Sequence, residues 1–144
     1  MDKVKRFKYL ILPELKLIVE HWTGEYSFDE ILELKNQEAS DSDWSDSFNV
    51  LADDRETNFR IEALLNENAK YFSLSQKFIK KRKTALLTSL PKQVATSVLM
   101  QMYQHPEALV TVEIFSTVKA ALRWLDVDIT EWERINELLN QLKK

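Results

Sequence analysis

The chain has 144 residues and a net charge of −3, a length that suits one domain able to bury roughly 68–70% of its unfolded surface without a disulfide or metal staple. It has no cysteine, which excludes disulfides, thiolate metal sites and a cysteine nucleophile. Its single glycine, Gly24, excludes the multi-glycine phosphate cradles of dinucleotide and Walker-type sites, and its charge gives no pull toward nucleic acid or an anionic membrane.

The N-terminus, MDKVKRFKYLILPELKLIVEHW, is basic and then apolar. Pro13, Glu14, Lys16 and Glu20 interrupt the apolar run, so it reads as neither a signal peptide nor a membrane span. The expectation is a cytoplasmic protein. Lys8 to Leu12 is a strand. Leu15 to Trp22 is a second strand, with Leu15, Leu17, Val19 and His21 on one face and Lys16, Ile18, Glu20 and Trp22 on the other. Pro13-Glu14 joins them as a hairpin. Proline cannot take the positive φ of a type I′ turn, so the loop is wider than two residues.

Thr23-Gly24-Glu25 turns the chain. Ser27-Phe28-Asp29-Glu30 is a capping box with Ser27 as N-cap. The helix it opens buries Phe28, Ile31, Leu32 and Leu34 and fades in the polar stretch from Glu38 to Asp43, which ends at Trp44. Phe48 to Asp53 is a short apolar run of the kind found in a central strand covered on both faces. A helix follows from about Asn58 to Phe72, with Ile61, Leu65, Ala69 and Phe72 on one stripe. Lys80-Lys81-Arg82-Lys83 leads into a strand over Thr84 to Thr88. Pro91 opens a helix striped by Val94, Ala95, Val98, Leu99, Met102 and Tyr103, which His105-Pro106 ends. Leu109 to Phe115 is the last strand. Ser116 caps a helix burying Val118, Ala121, Leu122 and Leu125. A second capping box, Thr130-Glu131-Trp132-Glu133, opens a terminal helix striped by Trp132, Ile135, Leu139 and Leu142.

Strands alternating with helices imply a mixed, mostly parallel sheet of about five strands with packed helices, the hairpin supplying the antiparallel pair. The segments KYLILPELKLIVEHWTGEYSFDEILELK, FNVLADDR, KRKTALLTSLPKQVATSVLMQMY and VEIFSTVKAALRWL resemble, in that order, the SpoIIAA-like branch of the STAS domains, the group also labelled STAS/SEC14 domain proteins in bacteria. The resemblance implies an α/β STAS-like single domain over 1–126. Residues 127–144 lie beyond it, as an amphipathic helix packed on the core or at a homodimer interface. It also implies a non-enzymatic regulatory or protein-interaction module with a protein partner; the SEC14 label adds lipid or small apolar ligand binding as the alternative.

Anti-sigma-factor antagonists of the STAS group are phosphorylated on Ser or Thr at the start of the helix after the third strand. The matching segment here, Asp53 to Asn58, lacks their Asp-Ser-Ser-Gly type sequence, and Thr57 is its one hydroxyl and the candidate phosphoacceptor. The interaction edge is expected at Asp53, Asp54, Arg55, Asn58, Thr88, Ser89 and Lys92, since α/β sheets place functional loops at strand C-termini. Lys80, Lys81, Arg82 and Lys83, with Lys77 nearby, form a candidate anion or lipid patch. A hydrolase or transferase using Asp53, Asp54 or His105 is the third reading. It lacks a nucleophile-elbow pattern around Ser89 and the acidic pair and lysine that a phosphoryl-accepting Asp53 needs. His21 and His105 share no helical spacing, so no metal site is expected, and no cofactor.

Overall fold

A computed structural model describes residues 4–58, 80–90, 94, 107 and 109–144. Five strands form one sheet in chain order: β1 (Arg6–Leu12), β2 (Leu17–Gly24), β3 (Asn49–Thr57), β4 (Arg82–Leu87) and β5 (Val110–Phe115). β1 pairs antiparallel with β2, and every later pair is parallel. The described helices are α1 (Phe28–Ala39), α2 (Val118–Trp124) and α3 (Trp132–Leu142). The mixed, mostly parallel sheet is the one the chain order implies. The expected helices over 58–72 and from Pro91 to Tyr103 lie outside the described residues, apart from Asn58 and Val94, and so do Lys77, Lys92 and His105.

The hairpin turn is a short 3₁₀ segment, Pro13–Leu15. Lys16 closes it in the left-handed region at φ 50° and donates its N–H to the Pro13 carbonyl. The turn therefore consumes Leu15 and Lys16, and β2 begins at Leu17 instead of Leu15. At its far end β2 runs to Gly24, whose φ of +102° requires glycine; a Cβ there would lie 3.0 Å from the Lys5 Cα.

Among the described helix starts, the expected cap forms in one case out of three. Ser27 Oγ accepts from the Glu30 N–H and Glu30 accepts from the Ser27 N–H, the reciprocal box expected. α2 is capped by Thr117, one residue after the expected Ser116, through the Ala120 N–H. The box at Thr130 is not formed. Asp128 takes both the Thr130 N–H and its hydroxyl, a 3₁₀ turn spans Ile129–Glu131, and α3 starts without a side-chain cap.

The sheet buries both faces. On one, Leu17, Val19, Leu51, Ala85 and Leu87 pack against Val118, Ala121 and Leu122 of α2 and Ile135 and Leu139 of α3. Ile135 and Leu139 are fully buried, so the terminal stripe seals the core of this chain. On the other, Ile18, Trp22, Val50, Ala52, Leu86 and Val112 pack with Ile31 and Leu34 of α1, and the Phe7 and Trp22 rings meet at a 33° tilt with centroids 4.1 Å apart. β3 lies third of five and is buried on both sides, which is why its sequence reads as an unbroken apolar run.

Candidate functional site

β3 is longer than the apolar run suggests because pairing with β2 resumes after a bulge. His21 pairs with Asp53, then Thr23 with Glu56 and Gly24 with Thr57, so β3 carries an extra residue at Asp54-Arg55. The bulge turns Arg55 back on its own strand. Asp53 Oδ1 accepts the Arg55 N–H at 3.1 Å and its Nε–H at 2.8 Å, and Oδ2 accepts from the other guanidinium nitrogen at 2.8 Å. This is a bidentate fork closed within one short segment. Asp53 is fully buried, while the Arg55 side chain is 29% exposed. Behind the carboxylate, His21 Nε2 lies 3.9 Å from Oδ2, fully buried and with no hydrogen-bond partner. Burial holds the His21 pKa below its usual value, against the pull of Asp53 and Glu56, so at neutral pH the imidazole is uncharged and the contact is not an ion pair.

The remaining candidates scatter around this point. Thr57 ends a strand rather than starting a helix. It is buried, and its hydroxyl donates to the Asp54 carbonyl at 2.6 Å; a kinase would have to unseat it. Asp54 points to the opposite face from Asp53, as strand alternation dictates. Thr88 is buried with its N–H on the Phe115 carbonyl, whereas Asn58 and Ser89 are exposed. Next to Ser89, Leu90 is 55% exposed and Val94 41% exposed, and the Val94 N–H donates to the Leu90 carbonyl.

The basic run does not make one patch. Lys80 and Lys81 face solvent, but β4 starts at Arg82 and its alternation separates the other two. Arg82 is buried on the α1 face, its Nε–H donating to the Phe48 carbonyl and its guanidinium lying 5.7 Å from the Trp44 ring centroid. Lys83 turns to the other face, bonded to the Trp124 carbonyl and Asp126.

A second polar cluster, absent from the sequence reading, lies under α1. Glu20, Glu38, Asp54 and Arg82 are buried there, and Lys35 bridges Glu20 and Glu38, at 2.8 Å from the latter. Trp22 Nε1–H donates to Glu20 at 3.0 Å. Burial raises the Glu20 pKa, but the Lys35 ammonium and the bonds from Glu38, Lys35 and Trp22 outweigh it and hold the group below the usual range. Glu38 moves the other way. Burial and the Glu20 charge push it to about 9, with Lys35 opposing. Glu38 is therefore protonated at neutral pH, and its Oε2 is buried without a hydrogen-bond partner. Burial, then the charges of Glu20 and Asp53, hold Asp54 well above the carboxylate range. A signal for this cluster was present. Ile31, Leu34, Lys35 and Glu38 fall on one helical stripe, so two charged residues share the buried face.

No protein-family model matches the chain, and no curated protein is similar to it. The solved structure of an uncharacterized DUF3478-family protein from Shewanella loihica PV-4, with a SpoIIAA-like fold, superposes with a TM-score of 0.57 and 12% sequence identity, covering 87% of this chain and 98% of that one. The chain has a SpoIIAA-like fold. In this SpoIIAA-like sheet the C-terminal ends of β2, β3 and β4 bring together Gly24, the Asp53–Arg55 fork and Thr88. Among the described residues, no three His, Cys, Asp or Glu side chains are placed to hold a metal, and no helix is long and apolar enough to cross a membrane.

Proposed function

We propose that this SpoIIAA-like chain is a non-enzymatic, cytoplasmic interaction module whose strand-end edge binds a protein partner. The observation that carries the reading is the exposed pair Leu90 and Val94, tied by the bond from the Val94 N–H to the Leu90 carbonyl beside Ser89 at that edge. Two large apolar side chains at i and i+4 make a small anchor of the kind partner surfaces bury. The state of Asp53 supports a contact role over chemistry. Its carboxylate accepts three bonds from Arg55 and is buried, so it is not poised as a nucleophile, phosphoryl acceptor or general base. The absence of cysteine agrees with a reducing compartment.

The test is site-specific photo-crosslinking in the native cells from positions 90 and 94, with exposed Glu137 on α3 as the control. The same defined polypeptide should appear from 90 and 94 and not from 137. The purified pair should bind, and Leu90→Asp should weaken binding about tenfold or more without lowering the urea midpoint. Diffuse adducts, or equal yield from 137, would remove the reading. A self-adduct would replace the partner with a second copy of the chain.

A further inference from the structure

We propose that the open edge of β1 binds an extended peptide whose acidic residues alternate with apolar ones, and takes it into the sheet as a further strand. β1 is the first strand in sheet order and pairs only with β2. In an antiparallel pair, alternate residues turn their N–H and C=O toward the partner strand, so the residues between them present theirs outward. Among the described residues, no backbone–backbone bond from β1 reaches any element other than β2. Exposure agrees with an open edge. β2 is buried along its whole length, whereas on β1 only Leu12 is buried and Leu10 is 37% exposed. The β1–β2 register runs unbroken from Arg6 to Leu12, with no bulge and no proline to blunt the edge.

The two faces of β1 select the occupant. Strand alternation puts Phe7, Tyr9 and Ile11 toward α1, where they pack partly buried against the core. The polar groups on that side are already matched: Tyr9 donates its hydroxyl to Asp41 at 2.9 Å, and Lys5, just before the strand, pairs with Glu30 at 2.6 Å. Arg6, Lys8 and Leu10 take the other face, and β1 has no acidic residue. Arg6 and Lys8 donate to the Lys143 and Lys144 oxygens, which draws Arg6, Lys8, Lys143 and Lys144 together along this margin of the sheet. Among the described residues, neither Arg6 nor Lys8 is paired with an acidic side chain. Side chains on an added strand stand about 4.5–5.5 Å from those they face. Carboxylates on one face of the peptide would therefore meet Arg6 and Lys8, and apolar side chains on the other would meet Phe7 and Tyr9. Lysine on an edge strand opposes self-pairing. A two-fold axis through Phe7 or Lys8 would set cation opposite cation here, and the charge that opposes a second copy favours an acidic strand. β2 and β3 separate β1 from β4, the strand that leads to Leu90, so this surface stands apart from the Leu90 and Val94 contact and does not rest on it.

The experiment is an NMR titration of the isotope-labelled full chain with a Glu-Val-Glu-Val-Glu-Val-Glu peptide, matched to the seven residues of β1, and with its Lys-Val counterpart. The acidic peptide should shift the β1 amides, and hydrogen exchange at alternate β1 residues should slow about tenfold or more in its presence, the mark of new backbone bonds. Lys8→Glu should weaken the acidic peptide about tenfold and strengthen the Lys-Val peptide, with an unchanged urea midpoint showing that the variant folds. Added salt should weaken the acidic peptide on the unaltered chain, an arm that needs no variant. The proposal is overturned by equal binding of the two peptides, by no shift at millimolar peptide, or by shifts at Lys143 and Lys144 without protection of β1 amides. Protection of β1 that grows with protein concentration and needs no peptide overturns it in favour of a second copy of the chain. Binding through these residues to phosphatidylserine vesicles, and not to the peptide, overturns it in favour of a membrane surface.

Discussion

Glu20 and His21 are neighbours on β2, as Asp53 and Asp54 are on β3, yet each pair splits between opposite faces of the sheet, and the two faces handle buried charge differently. Toward α2 and α3, one carboxylate meets one guanidinium two residues along the same strand. Toward α1, the three carboxyls Glu20, Glu38 and Asp54 meet Lys35 and Arg82, which come from a helix and another strand. The first face settles its charge by local pairing. The second settles it by protonation, with Glu38 and Asp54 held above the carboxylate range and Glu20 below it. One face thus closes on a single local contact, while on the other Lys35 holds the charge on Glu20 and burial pushes Glu38 and Asp54 toward their protonated forms.

The largest way to break this contrast is Lys35→Met. It strands Glu20 beside Glu38 without the bridging ammonium, and urea unfolding should show a loss of about 3–5 kcal/mol. Replacing the trio that Lys35 bridges, Glu20→Leu with Lys35→Met and Glu38→Leu, should recover part of that loss, because the stranded carboxylate goes with its partner while Arg82 stays buried. If the triple variant is worse than the single one, the cluster is not charge-limited. Asp53→Asn on the other face should cost less, about 1.5–3 kcal/mol in the same assay, since Arg55 can turn to water while Lys35's partners cannot. A cost matching that of Lys35→Met would erase the distinction between the faces.

Glu38→Gln sharpens the comparison through pH. Glu38 binds its proton more tightly when folded, near 9 against an ordinary 4.5. Folding therefore takes up a proton between those values, and stability from this group is complete below pH 4.5 and gone above about 9. Glutamine keeps the neutral form at every pH. The stability of the native chain should decline relative to Glu38→Gln as pH rises across that window, and a flat difference would mean that Glu38 is already ionised. The smallest effect belongs to the surface. Glu14 pairs with Arg134 at 2.5 Å, both near half exposed, and Glu14→Gln should leave the urea midpoint where it was.

The legible part of the fold was the part set by neighbours in the chain. Ser27 and Glu30 cap α1 as read because the box closes over three residues. Gly24 marks the end of β2 because only glycine takes its positive φ without strain. Thr130 misled because Asp128, two residues earlier, is the stronger local acceptor for the same N–H. Lys80 to Lys83 misled because alternation along β4 buries Arg82 on one face and turns Lys83 to the other. At the candidate site, Asp53 and Arg55 were legible as members of one strand-end edge, being two residues apart. His21 behind them was not, because its approach depends on the register of β2 against β3.

The sequence by itself determined the order of the described strands and helices, the mixed sheet with its opening hairpin, and the apolar stripe of α3. These follow from periodicity and capping, which act over a few residues. Only the tertiary structure decided that Thr57 would be buried in a strand, that Glu20, Lys35, Glu38, Asp54 and Arg82 would share one dry layer, and that Leu90 and Val94 would stay exposed. Burial and charge balance depend on which distant elements stack across a face, and that information lies in the packing rather than in any short run of residues.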